Sequence, residues 1–210
     1  MTDNSLAQRG DMLTINMPAP DFVARTTMGE RRLSSYRGRW LVLFSHPADF
    51  TPVCTSEFIA FAGLQASFAD IGCDLLALSV DSLYSHVAWV RSIRDRFGVG
   101  VNFPIAEDPS MAIAAAYGMI PPDAGDSSTV RASFVIDPDG IVRAITWYPM
   151  AVGRNVSEIL RLVVALQTSD AHAVSTPEGW QPGQPVIDAA PLDPEGETGP
   201  YDWYYKLKTL

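Results

Sequence analysis

Cysteine is scarce in this chain: 210 residues hold two, Cys54 and Cys73, and they do not form a C-x-x-C pair. A disulfide framework is thereby excluded, and a reducing, cytoplasmic setting is expected. Long apolar runs are missing as well. Trp40 to Phe44, for example, has the length of a strand, against about 20 residues for a membrane-spanning helix, so no membrane association is expected. The first residues, with Asp3, Asn4, Gln8, Arg9 and Asp11, carry no apolar stretch of the secretory kind. Positive charge is in short supply: 15 Lys and Arg face 24 Asp and Glu, a net charge of −9, which disfavours nucleic acid as a partner. The three histidines, His46, His86 and His172, are scattered and remote from the cysteines, so neither a metal nor another cofactor is expected. What remains is 47% hydrophobic and 19% charged, the composition of an ordinary soluble core.

Residues 40–46 (WLVLFSH) read as a buried strand, short, continuous and apolar. From Thr51 to Ile71, the residues Val53, Phe58, Phe61, Leu64 and Phe68 recur at near-helical spacing. Asp74 to Val80 is a second buried strand. Leu83 to Phe97 predicts a helix with Val87, Val90, Ile93, Arg94 and Phe97 carrying the period, ended by Gly98. A short strand over Phe103 to Ala106 precedes an Ala-rich helix from Pro109 to Tyr117, with Asp108 as its cap and Gly118 as its stop. Ala132 to Asp137 and Ile141 to Tyr148 flank Pro138-Asp139-Gly140, a hairpin signal. Asn155 with Glu158 opens a last helix, expected to reach about Leu166. Strand–helix–strand–helix, then a hairpin and a helix, predicts an α/β fold: a thioredoxin-like mixed sheet flanked by helices.

Between Leu162 and Tyr205 there is no Lys or Arg, and seven acidic residues and six prolines occur. The composition predicts an extended C-terminal arm rather than a second core, giving a domain over residues 1–168 and an arm over 169–210. Trp180, Val186, Ile187, Tyr201, Trp203, Tyr204 and Tyr205 are too apolar for a free tail, so the arm is expected to pack on another subunit.

Chemistry concentrates in Pro47-Ala48-Asp49-Phe50-Thr51-Pro52-Val53-Cys54, between the first strand and the first helix. Thr51 is a preferred N-cap and Pro52 a preferred first helical residue, which places Cys54 in the first turn. N–H groups there lack helical partners, and the macrodipole favours an anion, so the sulfur is expected to react as a thiolate. The alternative, a small buried apolar residue, does not account for the cap. Cys73 lies at the far end of a helix roughly 25 Å long, beyond disulfide reach of Cys54, and reads as inert packing.

Pro47, Thr51 and Cys54 form P-x-x-x-T-x-x-C, which resembles the peroxiredoxin active-site signature, and SHPADFTPVCTSEF resembles the one-cysteine (type 6) subfamily nearly letter for letter. The likeness continues in Leu78 to Ser82, Ser85 to Trp89, Arg131, Tyr148-Pro149, Gly153-Arg154-Asn155, Glu158 to Arg161 and Thr176 to Trp180. It spans about residues 12–187 and the closing YDWYYK. The resemblance implies a thiol-dependent peroxidase, serving antioxidant defence, in which Cys54 attacks hydrogen peroxide or an organic hydroperoxide and becomes a sulfenic acid. It further implies that Thr51 and the Cys54 N–H bind the peroxide and that Arg131 supplies positive charge. Pro47 would screen the sulfur, Arg154 would be a second arginine and Glu57 would orient both. His46 would hydrogen-bond the oxidised sulfur. A homodimer, or a decamer made as a ring of five dimers, is also implied.

Two departures refine this. Archaeal relatives with a similar aromatic tail resolve the sulfenic acid with cysteines in that arm, whereas Gly199 to Lys206 has no sulfur. An external thiol, thioredoxin-like or of low molecular weight, is therefore expected as reductant. Vertebrate members carry a lipase serine in a G-x-S-x-G elbow; Arg37-Gly38-Arg39-Trp40 stands there, so lipase activity is not expected. A thiol–disulfide oxidoreductase would need the absent C-x-x-C, and a redox-controlled chaperone or scaffold is a second role compatible with assembly.

Overall fold

The computed structural model describes residues 13–120, 125–189 and 204–210. The chain divides into two compact units, one ending at Val156 and one beginning at Ser157.

The first unit is built on a seven-stranded mixed sheet. Its strands are β1 (Val23–Thr26), β2 (Gly29–Arg32), β3 (Trp40–Ser45), β4 (Cys73–Ser79), β5 (Ile105–Glu107), β6 (Arg131–Ile136) and β7 (Val142–Tyr148), in the order β2-β1-β5-β4-β3-β6-β7. Strands β3, β4 and β5 run parallel and the remaining pairs are antiparallel. The two long helices are α1 (Pro52–Asp70) and α2 (Leu83–Phe97), close to their expected limits. Gly98 ends α2 at φ +67, the left-handed conformation that a side chain would strain.

Side-chain alternation along β3 sorts the core into two faces. Leu41 and Leu43 join Ile113, Ala114, Tyr117, Phe134 and Ile136 on one side. Phe44 faces the other side, stacked on Phe61 of α1 at 4.0 Å between ring centroids and tilted against Phe58 at 5.7 Å. Because Phe44 pairs with Ser133 of β6, the odd-numbered residues of β6 share the α1 face. Arg131 is thereby delivered beneath the first turns of α1.

Several expectations need correction. The buried stripe of α1 is Cys54, Glu57, Phe58, Phe61, Ala62 and Phe68, so a carboxylate sits where Val53 was expected. The buried residues of α2 are His86, Trp89 and Ile93, while Phe97 is exposed, because the stripe includes a histidine and a tryptophan that an aliphatic period overlooks. The helix expected from Pro109 is only α3 (Ala112–Ala116), entered through Met111 at φ +61. Asp108 does not cap at the expected place; its carboxylate accepts from Ala114 N at 2.7 Å, across a Pro109-Ser110 turn. The hairpin of β1 and β2 was not anticipated, since VART and GERR are short and polar.

In the second unit α4 (Val156–His172) runs six residues beyond the expected Leu166. Strands β8 (Val186–Ile187) and β9 (Leu207–Lys208) pair antiparallel. The unit has a small core of its own, Ala165, Val174, Trp180 and Val186. Trp180 is 2% exposed, its indole N–H donating to Gln184 O and its carbonyl accepting from Arg161. The expectation that Trp180 is buried by another subunit is corrected: its own unit already covers it. Pro191, Pro194, Pro200, Tyr201 and Trp203, on which part of that expectation rested, lie outside the described residues.

Trp180→Ala should remove about 3–5 kcal/mol from this small core, as deletion of a buried aromatic ring does. The expected result is much faster hydrogen exchange at the Ser175 and Ile187 amides, which pair with each other's carbonyls. Unchanged exchange there would show that Trp180 does not hold the unit.

Candidate active site

Thr51 occupies the N-cap position of α1 with extended backbone, and Pro52 and Val53 precede Cys54, which is fully buried. The expected cap bond is absent: Thr51 Oγ1 donates instead to Ala48 O at 2.8 Å, turning the loop back on itself. Helix entry is fixed by Pro52 and by Thr51 O, which accepts from both Thr55 N and Thr55 Oγ1. Pro47 is buried in the same loop.

Arg131, 2% exposed, reaches this turn from the start of β6. Its Nη1 lies 3.3 Å from Cys54 Sγ and donates to Glu57 Oε2 at 2.9 Å. Its Nε and Nη2 donate to Met150 O at 2.9 and 2.8 Å, so the whole fork is aimed. Glu57 lies one turn after Cys54 on the same helical face. Its carboxylate accepts from Arg154 N, Nε and Nη2 at 2.7, 3.0 and 2.7 Å as well as from Arg131. Arg154 spends its remaining donor, Nη1, on Ala132 O and Ser133 Oγ, and its guanidinium lies over the rings of Phe44 and Phe61. A Cβ at Gly153 would stand 3.3 Å from Val53 Cγ1, so glycine there lets the segment before Arg154 press against α1. Burial pushes the Glu57 carboxyl up, but the Arg154 hydrogen bonds and charge, with Arg131 behind them, outweigh it and hold the group below the usual carboxylate range.

Five of the seven expected residues, Cys54, Thr51, Arg131, Arg154 and Glu57, thus meet around one helical turn. His46 directly follows β3 with its ring edge-on to Phe58 at 4.9 Å, and its Nε2 bonds Asp49 Oδ1 at 2.8 Å rather than sulfur. His86 Nδ1 bonds the other oxygen, Asp49 Oδ2, also at 2.8 Å. The reading of the histidines as scattered is therefore corrected: the fold brings His46 and His86 together on Asp49, and no sequence spacing foretold it. Cys73, the first residue of β4, is buried beside Trp40 across the ladder; burial and then Asp74 push its thiol up to about 12. Both cysteines are free.

Comparison with known proteins agrees with this geometry. Residues 15–145 match the AhpC/TSA family, and residues 165–198 match the C-terminal domain of 1-Cys peroxiredoxin. The chain is similar to peroxiredoxin 2 of Thermoplasma acidophilum, 48% identical over 90% of this chain and 97% of that one. To peroxiredoxin 2 of Caldanaerobacter subterraneus it is 53% identical, covering 84% and 80%. Among solved structures it resembles the yeast mitochondrial 1-Cys peroxiredoxin, described for its thiol resolving mechanism via glutathione and thioredoxin systems. That likeness has a TM-score of 0.85, with 39% identity over 95% of this chain and all of the other. The peroxiredoxin 6 of Arenicola marina superposes with a TM-score of 0.81 at 36% identity, over 87% of this chain and 86% of its own. With a thioredoxin-like fold, a cysteine in the first turn of its first long helix and these relatives, the chain is a thiol-dependent peroxidase and belongs to the peroxiredoxin family.

Proposed function

We propose that Cys54 is the peroxidatic nucleophile of a one-cysteine cycle, with Thr51, Arg131 and Pro47 as its catalytic partners and Arg154, Glu57 and His46 in support. The observation that carries this is the 3.3 Å contact of Arg131 Nη1 with Cys54 Sγ inside the first helical turn. The sulfur anion attacks the terminal oxygen of ROOH, the O–O bond breaks, and Cys–S–OH and RO⁻ result; RO⁻ takes a proton and leaves as water or alcohol. Charge that develops on the departing oxygen needs fixed donors, and the Arg131 fork and the first-turn N–H of Cys54 provide them. Thr51 has one hydroxyl proton, already given to Ala48 O. It therefore offers lone pairs to the O–H of the peroxide, an acceptor rather than the donor expected from the sequence. Buried Pro47 keeps the loop beside the sulfur apolar. His46, with one ring nitrogen uncommitted, supports the oxidised sulfur.

The sulfenic acid is resolved by an external thiol: its sulfur forms an S–S bond with Cys54, water leaves, and a second thiol releases the reduced enzyme. Cys73 cannot serve, being buried, poorly ionised and at the far end of α1. A thioredoxin-like protein or a low-molecular-weight thiol fits the role, in the cytoplasm. Residues 169–210 act as the oligomerisation arm of a homodimer or of a ring of five dimers. Supporting this, Tyr204, Tyr205, Leu207 and Leu210 are each about half or more exposed.

Stopped-flow reduction of peroxide should show no reaction for Cys54→Ser and near wild-type reaction for Cys73→Ser. Arg131→Lys keeps charge but loses the planar fork, and should slow the second-order step by about tenfold or more. Reaction by Cys54→Ser, or an unslowed Arg131→Lys, would refute the assignment. Glu57→Gln leaves two buried guanidiniums short of a counter-charge and should cost about 3–5 kcal/mol at neutral pH. Because the folded carboxyl titrates below its unfolded value, its stabilisation is complete above the ordinary carboxylate range and is lost as pH falls through the depressed folded value. Wild-type Tm should therefore drop on acidification, and the Glu57→Gln curve should be flatter over that interval. Finally, Tyr205→Glu with Leu207→Glu should lower the mass seen by light scattering; an unchanged mass would remove those residues from the interface.

A further inference from the structure

Beyond the support that His46 is proposed to give the oxidised sulfur, the buried trio of His46, Asp49 and His86 has no part in the chemistry described so far. Both imidazoles are fully buried, and the Asp49 side chain is 2% exposed. Asp49 belongs to the loop that carries Pro47 and Thr51, His46 directly follows β3, and His86 sits in the first turn of α2. The loop is tied at both polar groups of Asp49: its carboxylate bridges the two rings, and its N–H donates to Asp81 Oδ2 at 2.8 Å. The next residue, Phe50, is held at φ +58, a conformation that a phenylalanine adopts only where its surroundings insist.

The second nitrogens decide what the trio is. His46 Nδ1 and His86 Nε2 are buried and have no hydrogen-bond partner among the described residues. A metal on the inner nitrogens would force N–H onto those outer positions, leaving two buried donors unpaired, contrary to the outer partner that ligating histidines ordinarily have. Two neutral rings that each donate N–H to Asp49 leave only bare lone pairs outside. Burial pushes His46 down, against the pull of Asp49, which keeps it neutral. The Asp49 carboxyl, which burial alone would raise, is held far below its usual range by its two histidine bonds.

We propose that His86 is a positioning residue of the thiol site: through Asp49 it locks His46 as the Nε2–H tautomer, with Nδ1 a bare acceptor, and pins the loop that carries Pro47 and Thr51. This rests on the reading of Cys54 as the nucleophile, beside which that loop lies. His46 Nδ1 is then fixed as a lone-pair site, and cannot reverse into a donor while both Asp49 oxygens are engaged.

Nitrogen-15 imidazole spectra of the full chain at neutral pH should assign His46 as Nε2–H and His86 as Nδ1–H. His86→Leu should mix the His46 tautomers and slow peroxide reduction by about tenfold, the scale on which partners of a functional histidine act. His86→Asn places an amide N–H where Nδ1–H stood, and should restore both the single tautomer and most of the rate. An Nδ1–H tautomer at His46 in the wild type overturns the proposal, as does a wild-type rate in His86→Leu; the wild-type spectrum decides even if that variant does not fold. The same spectrum recorded on Cys54→Ser separates the two readings. Peroxide reduction surviving in Cys54→Ser would sink the nucleophile, whereas the tautomers test the trio alone.

Discussion

The site depends on one buried carboxylate that has too few charges to satisfy its neighbours. Glu57 stands between Arg131 and Arg154, with side-chain exposures at or near zero for all three. Two guanidiniums and one carboxylate leave an excess of one positive charge in a place water does not reach, where uncompensated charge is expensive. The excess lies on Arg131, whose Nη1 is shared between Glu57 and Cys54 Sγ. The ion cluster therefore does more than orient an arginine: it leaves one buried guanidinium donor facing Cys54 Sγ.

That arrangement needs three pieces of chain to arrive together, and backbone geometry brings them. Alternation along β6 puts Arg131 and Ser133 on the α1 face, and pairing with β3 sets Ser133 opposite Phe44. The spacing of one helical turn puts Cys54 and Glu57 side by side. Gly153 allows the strand-exit segment close enough for Arg154 to donate three times to one carboxylate. Arg154 also lies over Phe44 and Phe61, so the apolar layer that packs the helix on the sheet also carries the charge cluster.

Much of this was legible in the amino-acid sequence because the relevant signals are local. Thr51-Pro52 marks a helix start, the 40–46 run marks a buried strand, and Pro138-Asp139-Gly140 marks a hairpin; each depends on a few adjacent residues. What stayed hidden is what depends on distant partners. The Thr51 hydroxyl looked like a cap, yet it found a nearer acceptor in Ala48 O. Glu57 owed its expected place to resemblance alone, since the two arginines that close on it come from 74 and 97 residues away. His86 lies 37 residues from Asp49, and no periodicity announces that pairing. Composition also misled in the C-terminal region, where abundant proline and acid concealed a small core around Trp180.

The two cysteines are buried to a similar degree in different surroundings. Cys54 is fully buried and Cys73 nearly so, and each lies at a secondary-structure start on the same sheet-and-helix layer. Around Cys73 the Val42 backbone and the Arg39 charge only partly offset burial and the adjacent Asp74, and its thiol donates weakly to the Asp74 carbonyl. Around Cys54 the same loss of water is met by a guanidinium held rigidly on three sides and by the open N–H groups of a helix start. What replaces water around a buried sulfur is set by distant partners, and at Cys54 it is arranged by Glu57, whose carboxylate holds the Arg131 Nη1 that meets the sulfur.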